Sequence, residues 1–125
     1  EFVASFVGTL NLLKVAVIDP AKGAMQVGGQ TFYADKPFTN HAAGETVQIA
    51  LRPELFNPDS TGRADENRLT GRVEYVAFHG SVVRIHLRLG ETLLLVDEFN
   101  NPHLAVPEIG SDLTVYFLRE NCLVL

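Results

Sequence analysis

A chain of 125 residues and 13.7 kDa, 46% hydrophobic and 20% charged, is long enough to bury roughly two thirds of its unfolded surface as a globular unit. Its net charge of -5 and pI near 5.2 oppose nucleic-acid binding, which draws on clustered Lys and Arg. The single Cys122 permits no internal disulfide and no apolar run approaches a membrane span, so a reducing, cytoplasmic setting and protein partners are expected.

Phe2, Val3, Phe6 and Val7 recur at helical spacing before Gly8 with no N-cap ahead of them. This predicts a short helix over 1–10, entered midway, in a chain cut from a longer polypeptide. Leu12 to Ile18 is rich in β-formers and stops at the turn Asp19-Pro20-Ala21-Lys22-Gly23. Ala24 to Val27 and Gln30 to Tyr33 flank Gly28-Gly29, a two-residue link suited to the positive φ of a tight hairpin. Gly44 introduces the strand Glu45 to Arg52, where Val47, Ile49 and Leu51 alternate with Thr46, Gln48 and Ala50. Pro53, lacking an N–H, ends its ladder. The polar segment 57–67 separates a first β half, 11–56, from a second, 68–125.

The second half opens with Leu69 to Ala77 and turns at Gly80-Ser81 into Val82 to Leu89, the clearest alternation in the chain. Gly90-Glu91 leads into Thr92 to Val96, whose Leu93-Leu94-Leu95-Val96 run predicts a strand covered on both faces. After the connection 97–110, Leu113, Val115 and Phe117 alternate with Thr114, Tyr116 and Leu118, and Cys122 to Leu125 forms a last strand. Short strands, Gly-bearing turns and little helix predict an all-β fold of small OB-like barrels in two β subdomains, with a sandwich as the alternative. Strand, glycine turn and strand in each half imply a structural repeat without visible sequence repetition.

Little in the chain points to catalysis. His41, His79, His86 and His103 share no convergent ligand spacing, so no metal is expected. Ser60, Ser81 and Ser111 lie outside any nucleophile elbow, and Cys122 sits in an apolar strand, so no catalytic residue is expected. Gly28-Gly29 lacks the lysine and helix of a phosphate loop, which leaves this chain without a nucleotide cofactor of its own. Arg84, His86 and Arg88, about 7 Å apart along one strand face, form a candidate contact for an anion or an acidic partner surface. The competing reading is a solvated outer face. Arg52 and Glu54 bracket Pro53 either as a local ion pair or as an interdomain contact.

Three segments, Phe2-Val3-Ala4-Ser5-Phe6-Val7-Gly8-Thr9-Leu10-Asn11-Leu12-Leu13, Leu51-Arg52-Pro53-Glu54 and Gly71-Arg72-Val73-Glu74-Tyr75-Val76-Ala77-Phe78-His79-Gly80-Ser81, resemble in order the C-terminal region of ABC-importer ATP-binding subunits, spermidine/putrescine or iron(III) type. The resemblance implies a transport-associated OB-like (TOBE) regulatory domain joined by a linker helix to an ATPase domain. ATP and Mg would belong to that domain, as would hydrolysis coupled to substrate uptake. It also implies a homodimer through the regulatory domains, a membrane permease as partner and a place on the inner face of the plasma membrane. On this sequence it marks Asn11, Arg52, Pro53, Glu54, Phe78, Gly80 and Ser81 as structural or interdomain positions. Related barrels suggest an alternative, a small oxyanion sensor built on Arg84, His86 and Arg88.

Overall fold

The computed structural model describes residues 10–100 and 104–125. The helix expected ahead of Asn11, and His103, lie outside the described residues. Among the described residues nine strands form two antiparallel sheets. β1 (Asn11–Asp19), β2 (Ala24–Val27), β3 (Gln30–Tyr33), β4 (Thr46–Leu51) and β9 (Leu123–Val124) make the first, in the order β3-β2-β1-β4-β9. β5 (Glu66–His79), β6 (Val82–Leu89), β7 (Thr92–Phe99) and β8 (Asp112–Leu118) make the second, in the order β7-β6-β5-β8. The all-β, OB-like architecture expected from the strand pattern is the one observed.

Alternation decides which side chains enter the core, since successive residues of a strand point to opposite faces. Leu13, Val15 and Val17 of β1, Val47, Ile49 and Leu51 of β4, and Val83, Ile85, Leu87 and Leu89 of β6 turn inward into one core shared by both sheets. Phe117 joins them, its ring 6.1 Å from Phe32 in the first sheet and 5.3 Å from Phe56. Each such burial removes about 1.5–3 kcal/mol of unfavourable hydration.

Two expectations change. Within Leu93–Val96 only Leu94 and Val96 are buried, while Leu93 is 37% exposed, because β7 edges an antiparallel sheet with one wet face. β5 begins at Glu66, so Asn67, read as the end of the polar loop, is a buried strand residue.

The two halves repeat each other residue by residue. β1 pairs Ala16 with Gln26 and Val17 with Met25, then bulges before Asp19; β5 pairs Arg72 with Arg88 and Val73 with Leu87, then bulges before Tyr75. Leu12 faces Ala50 in the first half as Arg68 faces Tyr116 in the second. The tails are exchanged: Asn57, after the 3-10 turn Pro53–Leu55, bridges to Tyr116 of β8, and Leu123, after the 3-10 turn Arg119–Asn121, pairs with Ala50 of β4. The hairpin turns meet where the halves touch, at Gly28 (φ +56) and Gly90 (φ +62). A Cβ on Gly28 would stand 2.9 Å from the Leu89 carbonyl carbon, and one on Gly90 would stand 3.1 Å from the Gly28 Cα. The repetition is broken where the β5–β6 hairpin runs on from Val76 to Ile85, beyond the point where the β1–β2 hairpin has already turned, and where β7 with its connection to β8 outruns β3 with its connection to β4.

Candidate functional site

Asn11 opens β1 facing inward, where its side chain meets the free edge of β7. Its Nδ2 donates to the Leu95 carbonyl at 2.8 Å, and its Oδ1 accepts from the Leu95 N–H at 2.7 Å. Asn67 opens β5 and does the same to β3, donating to the Tyr33 carbonyl at 2.8 Å and accepting from the Tyr33 N–H at 2.9 Å. The two amides clasp the sheets together at equivalent seams and close two sheet edges. The family resemblance marks Asn11 as a structural or interdomain position and passes over Asn67, its counterpart.

The Arg52-Pro53-Glu54 corner is the start of a 3-10 turn that packs against β7. Pro53 is buried at its first position, where a missing N–H costs nothing, and the Leu55 N–H donates to the Arg52 carbonyl at 3.1 Å. Arg52 and Glu54 are both exposed. The ion pairs among the described residues are Arg63–Asp65, Arg84–Asp97 and Arg88–Glu74, with the His41 ring 3.4 Å from Glu45, so the local Arg52–Glu54 pair does not form. The negative charge of Glu54 acts instead on Arg84, across the joint between the halves.

Phe78, Gly80, Ser81 and Arg84 all lie in the hairpin extension that the first half lacks. Gly80 turns it with φ +66. Asn100 ties the tip down, its N–H donating to the Ser81 carbonyl at 2.8 Å and its Nδ2 to the Gly80 carbonyl at 3.1 Å. Phe78, expected as a structural or interdomain position, is 62% exposed although it stands opposite the buried Val83. Opposite Val83 on the other side stands Glu98. Its Oε2 is buried without a hydrogen-bond partner among the described residues. Burial first, then the charges of Asp59 and Asp97, push its carboxyl up to about 7.

Arg84, His86 and Arg88 each meet a neighbour across the sheet. Arg84 makes a fork to Asp97, directly opposite on β7, with Nε and Nη2 at 2.8 and 2.9 Å. That hydrogen bond raises the Arg84 pKa against the opposing cost of burial. Arg88 forks to Glu74 at 2.9 and 3.0 Å and donates to the Glu91 carbonyl at 3.3 Å. Glu74 stands at the β5 bulge, and its carboxyl lies below the usual range because Arg88 donates to it. His86 meets the Tyr75 ring edge-on at 5.3 Å. Both guanidinium forks are filled by carboxylates, which leaves a charge-balanced, aromatic-tiled surface rather than a cationic cradle.

Among the described residues no three His, Cys, Asp or Glu side chains converge to hold a metal ion, and no helix is long and apolar enough to cross a membrane. Burial pushes the Cys122 thiol up to about 12, where it is a poor nucleophile. A groove of about 570 Å³ between the β3–β4 connection and β9 is lined by charges of both signs, Asp35, Lys36 and Glu120, with Phe38 and Leu123.

Comparison with known proteins gives this geometry a context. The TOBE domain family matches residues 49–125. The chain is 27% identical over 139 aligned residues to the spermidine/putrescine import ATP-binding protein PotA of Trichodesmium erythraeum (strain IMS101), an alignment that covers 99% of this chain and 35% of that protein. The chain thus spans about a third of that relative's length. Among solved structures it is similar to the cytoplasmic molybdate-binding protein ModG with molybdate bound, with a TM-score of 0.71 over 91% of this chain and 94% of that one. At 19% identity that likeness shows the fold alone.

Proposed function

Since this chain belongs to the TOBE domain family, we propose that it is the regulatory and pairing domain of the ATP-binding subunit of an ABC importer. The observation that carries the reading is the alignment of nearly all of this chain, 99%, with only 35% of PotA. The remainder of such a subunit is where ATP and Mg would be held and where a membrane permease would dock. This chain would supply no reacting group. Its part is to hold two subunits in register, with the clasped halves acting as a stiff spacer. Uptake of polyamines, the cargo in the name of PotA, is the first cargo class to examine.

The oxyanion-sensor alternative would need free cations on the outer face of the second sheet. Arg84 and Arg88 are already forked to Asp97 and Glu74, so partner contact is the better-supported role for that face. Calorimetric titration of the chain with molybdate, sulfate and phosphate is expected to give no binding heat. Saturable binding that Arg84→Ala or Arg88→Ala abolishes would reverse the order of the two readings.

The test of the main reading is to isolate the natural polypeptide that contains this chain and photolabel it with an azido analogue of ATP. A polypeptide of which this chain is about 35%, labelled in competition with ATP, is expected. A natural product no longer than this chain, or a longer one that takes no label, would overturn it.

A further inference from the structure

The internal repeat allows a comparison that a single-copy fold does not. Equivalent positions in the two halves meet the same backbone surroundings, so a difference in side-chain chemistry between them is not required by the fold. Outside the Asn67 seam the equivalent positions carry Glu66, Arg68, Asn57 and Asp59. Outside the Asn11 seam they carry Leu10, Leu12, Leu123 and Leu125, which are 39%, 54%, 54% and 65% exposed.

These leucines are contiguous. Leu12 stands opposite Ala50 and Ala50 opposite Leu123, so the three lie side by side across β1, β4 and β9. Leu125 continues the row, its N–H donating to the Gln48 carbonyl at 2.9 Å. Ala50, at the place of Tyr116 in the other half, is only 3% exposed and floors a cleft of about 150 Å³ walled by Leu55 and Leu123. A ridge of leucines beside a leucine-sized cleft is a self-complementary shape.

We infer that the Asn11 seam is the surface through which two copies of this chain pair, the leucine ridge of each entering the Ala50 cleft of the other about a twofold axis. The inference rests on the pairing role proposed above. Two features favour a second copy over a charged partner. The rim carries both signs, with Lys14 two residues beyond Leu12 on the same face and Arg52 and Glu120 beside the cleft, so facing copies can set opposite charges against each other. The four leucines expose on the order of 400 Å² per copy, and two such patches form the apolar centre of an interface whose polar rim brings it to the ~1,200 Å² of a stable pair.

The other half supplies the variants, because its residues are already accepted by this fold. Leu12→Arg with Leu123→Asn flattens the ridge, Ala50→Tyr fills the cleft, and Arg68→Ala alters the opposite seam. Sedimentation equilibrium of each from about 1 µM to 1 mM, with thermal midpoints as the check on folding, reads the result. The natural chain is expected to pair, the double variant and Ala50→Tyr to pair at least tenfold more weakly while still folded, and Arg68→Ala to pair unchanged. A natural chain that pairs together with a folded double variant that pairs equally well would remove the leucine seam and leave the pairing role standing. A natural chain that stays monomeric throughout would remove the pairing role itself.

Discussion

Asn11 and Asn67 each commit both ends of one amide to a single backbone residue of the opposite sheet. Asn11→Ala would strand the Leu95 N–H and carbonyl in a half-buried seam and should cost about 2–3 kcal/mol in urea unfolding, with Asn67→Ala similar. Asn11→Asp keeps the acceptor but loses the donor, and should retain part of that stability. Glu98 makes a second prediction at this scale. Its carboxyl is raised from 4.5 to about 7, so the folded chain keeps a proton that the unfolded chain releases. Stability should therefore fall as pH rises across that window and level off above it. Glu98→Gln should abolish the fall and gain about 1 kcal/mol at high pH, a figure reduced for solvent reaching the half-buried group. An unchanged pH profile in the variant would place the titration elsewhere. Cys122 is buried, but it caps the 3-10 turn Arg119–Asn121 ahead of β9 instead of lying in that strand, whose Leu123 and Val124 are exposed, whereas Asn67 was hidden in a polar run with no period to reveal it. The available signal was its phasing: Asn11, Leu13 and Val17 recur with identical spacing as Asn67, Leu69 and Val73.

The strands were legible wherever one face is wet and the other dry, as in Val82 to Leu89, because alternation is then imposed by solvent. What could not be read was cross-strand partnership. Arg84 and Arg88 look like a cationic stripe in sequence, yet register sets Asp97 opposite one and the bulge brings Glu74 to the other. Asp97→Ala should therefore destabilise the hairpin by about 1 kcal/mol, and a double-mutant cycle with Arg84→Ala should return most of that as coupling. The turn where the halves meet is more sensitive. Gly28→Ala combines a positive φ with a 2.9 Å approach to the Leu89 backbone, whereas Gly29→Ala, at φ +78, meets nothing within 4 Å. Gly28→Ala should lower the thermal midpoint well beyond the ~1 kcal/mol of backbone strain expected for Gly29→Ala. Equal effects at both positions would mean that the two turns do not press together.

At the scale of the whole molecule, one meander with a closing strand occurs twice, and each half completes the other by exchanging its tail. In the sequence this shows only as strand, glycine turn and strand, with no alignment of the two halves. The spacing between equivalents widens along the chain, from Asn11 and Asn67 to Gly28 and Gly90 to Gly44 and Gly110, as the connections of the second half lengthen. Those longer connections carry the exposed hairpin with Phe78, and the unequal seams carry the leucine ridge, so the departures from symmetry are where partners would be engaged. The most direct test is made on the intact polypeptide that contains this chain, with and without residues 11–125, measuring ATP photolabelling, subunit pairing and ATP-driven uptake together. A pairing and regulatory domain predicts that nucleotide labelling survives the removal while pairing and coupled uptake fall. Loss of nucleotide labelling, or pairing and uptake left untouched, would contradict it.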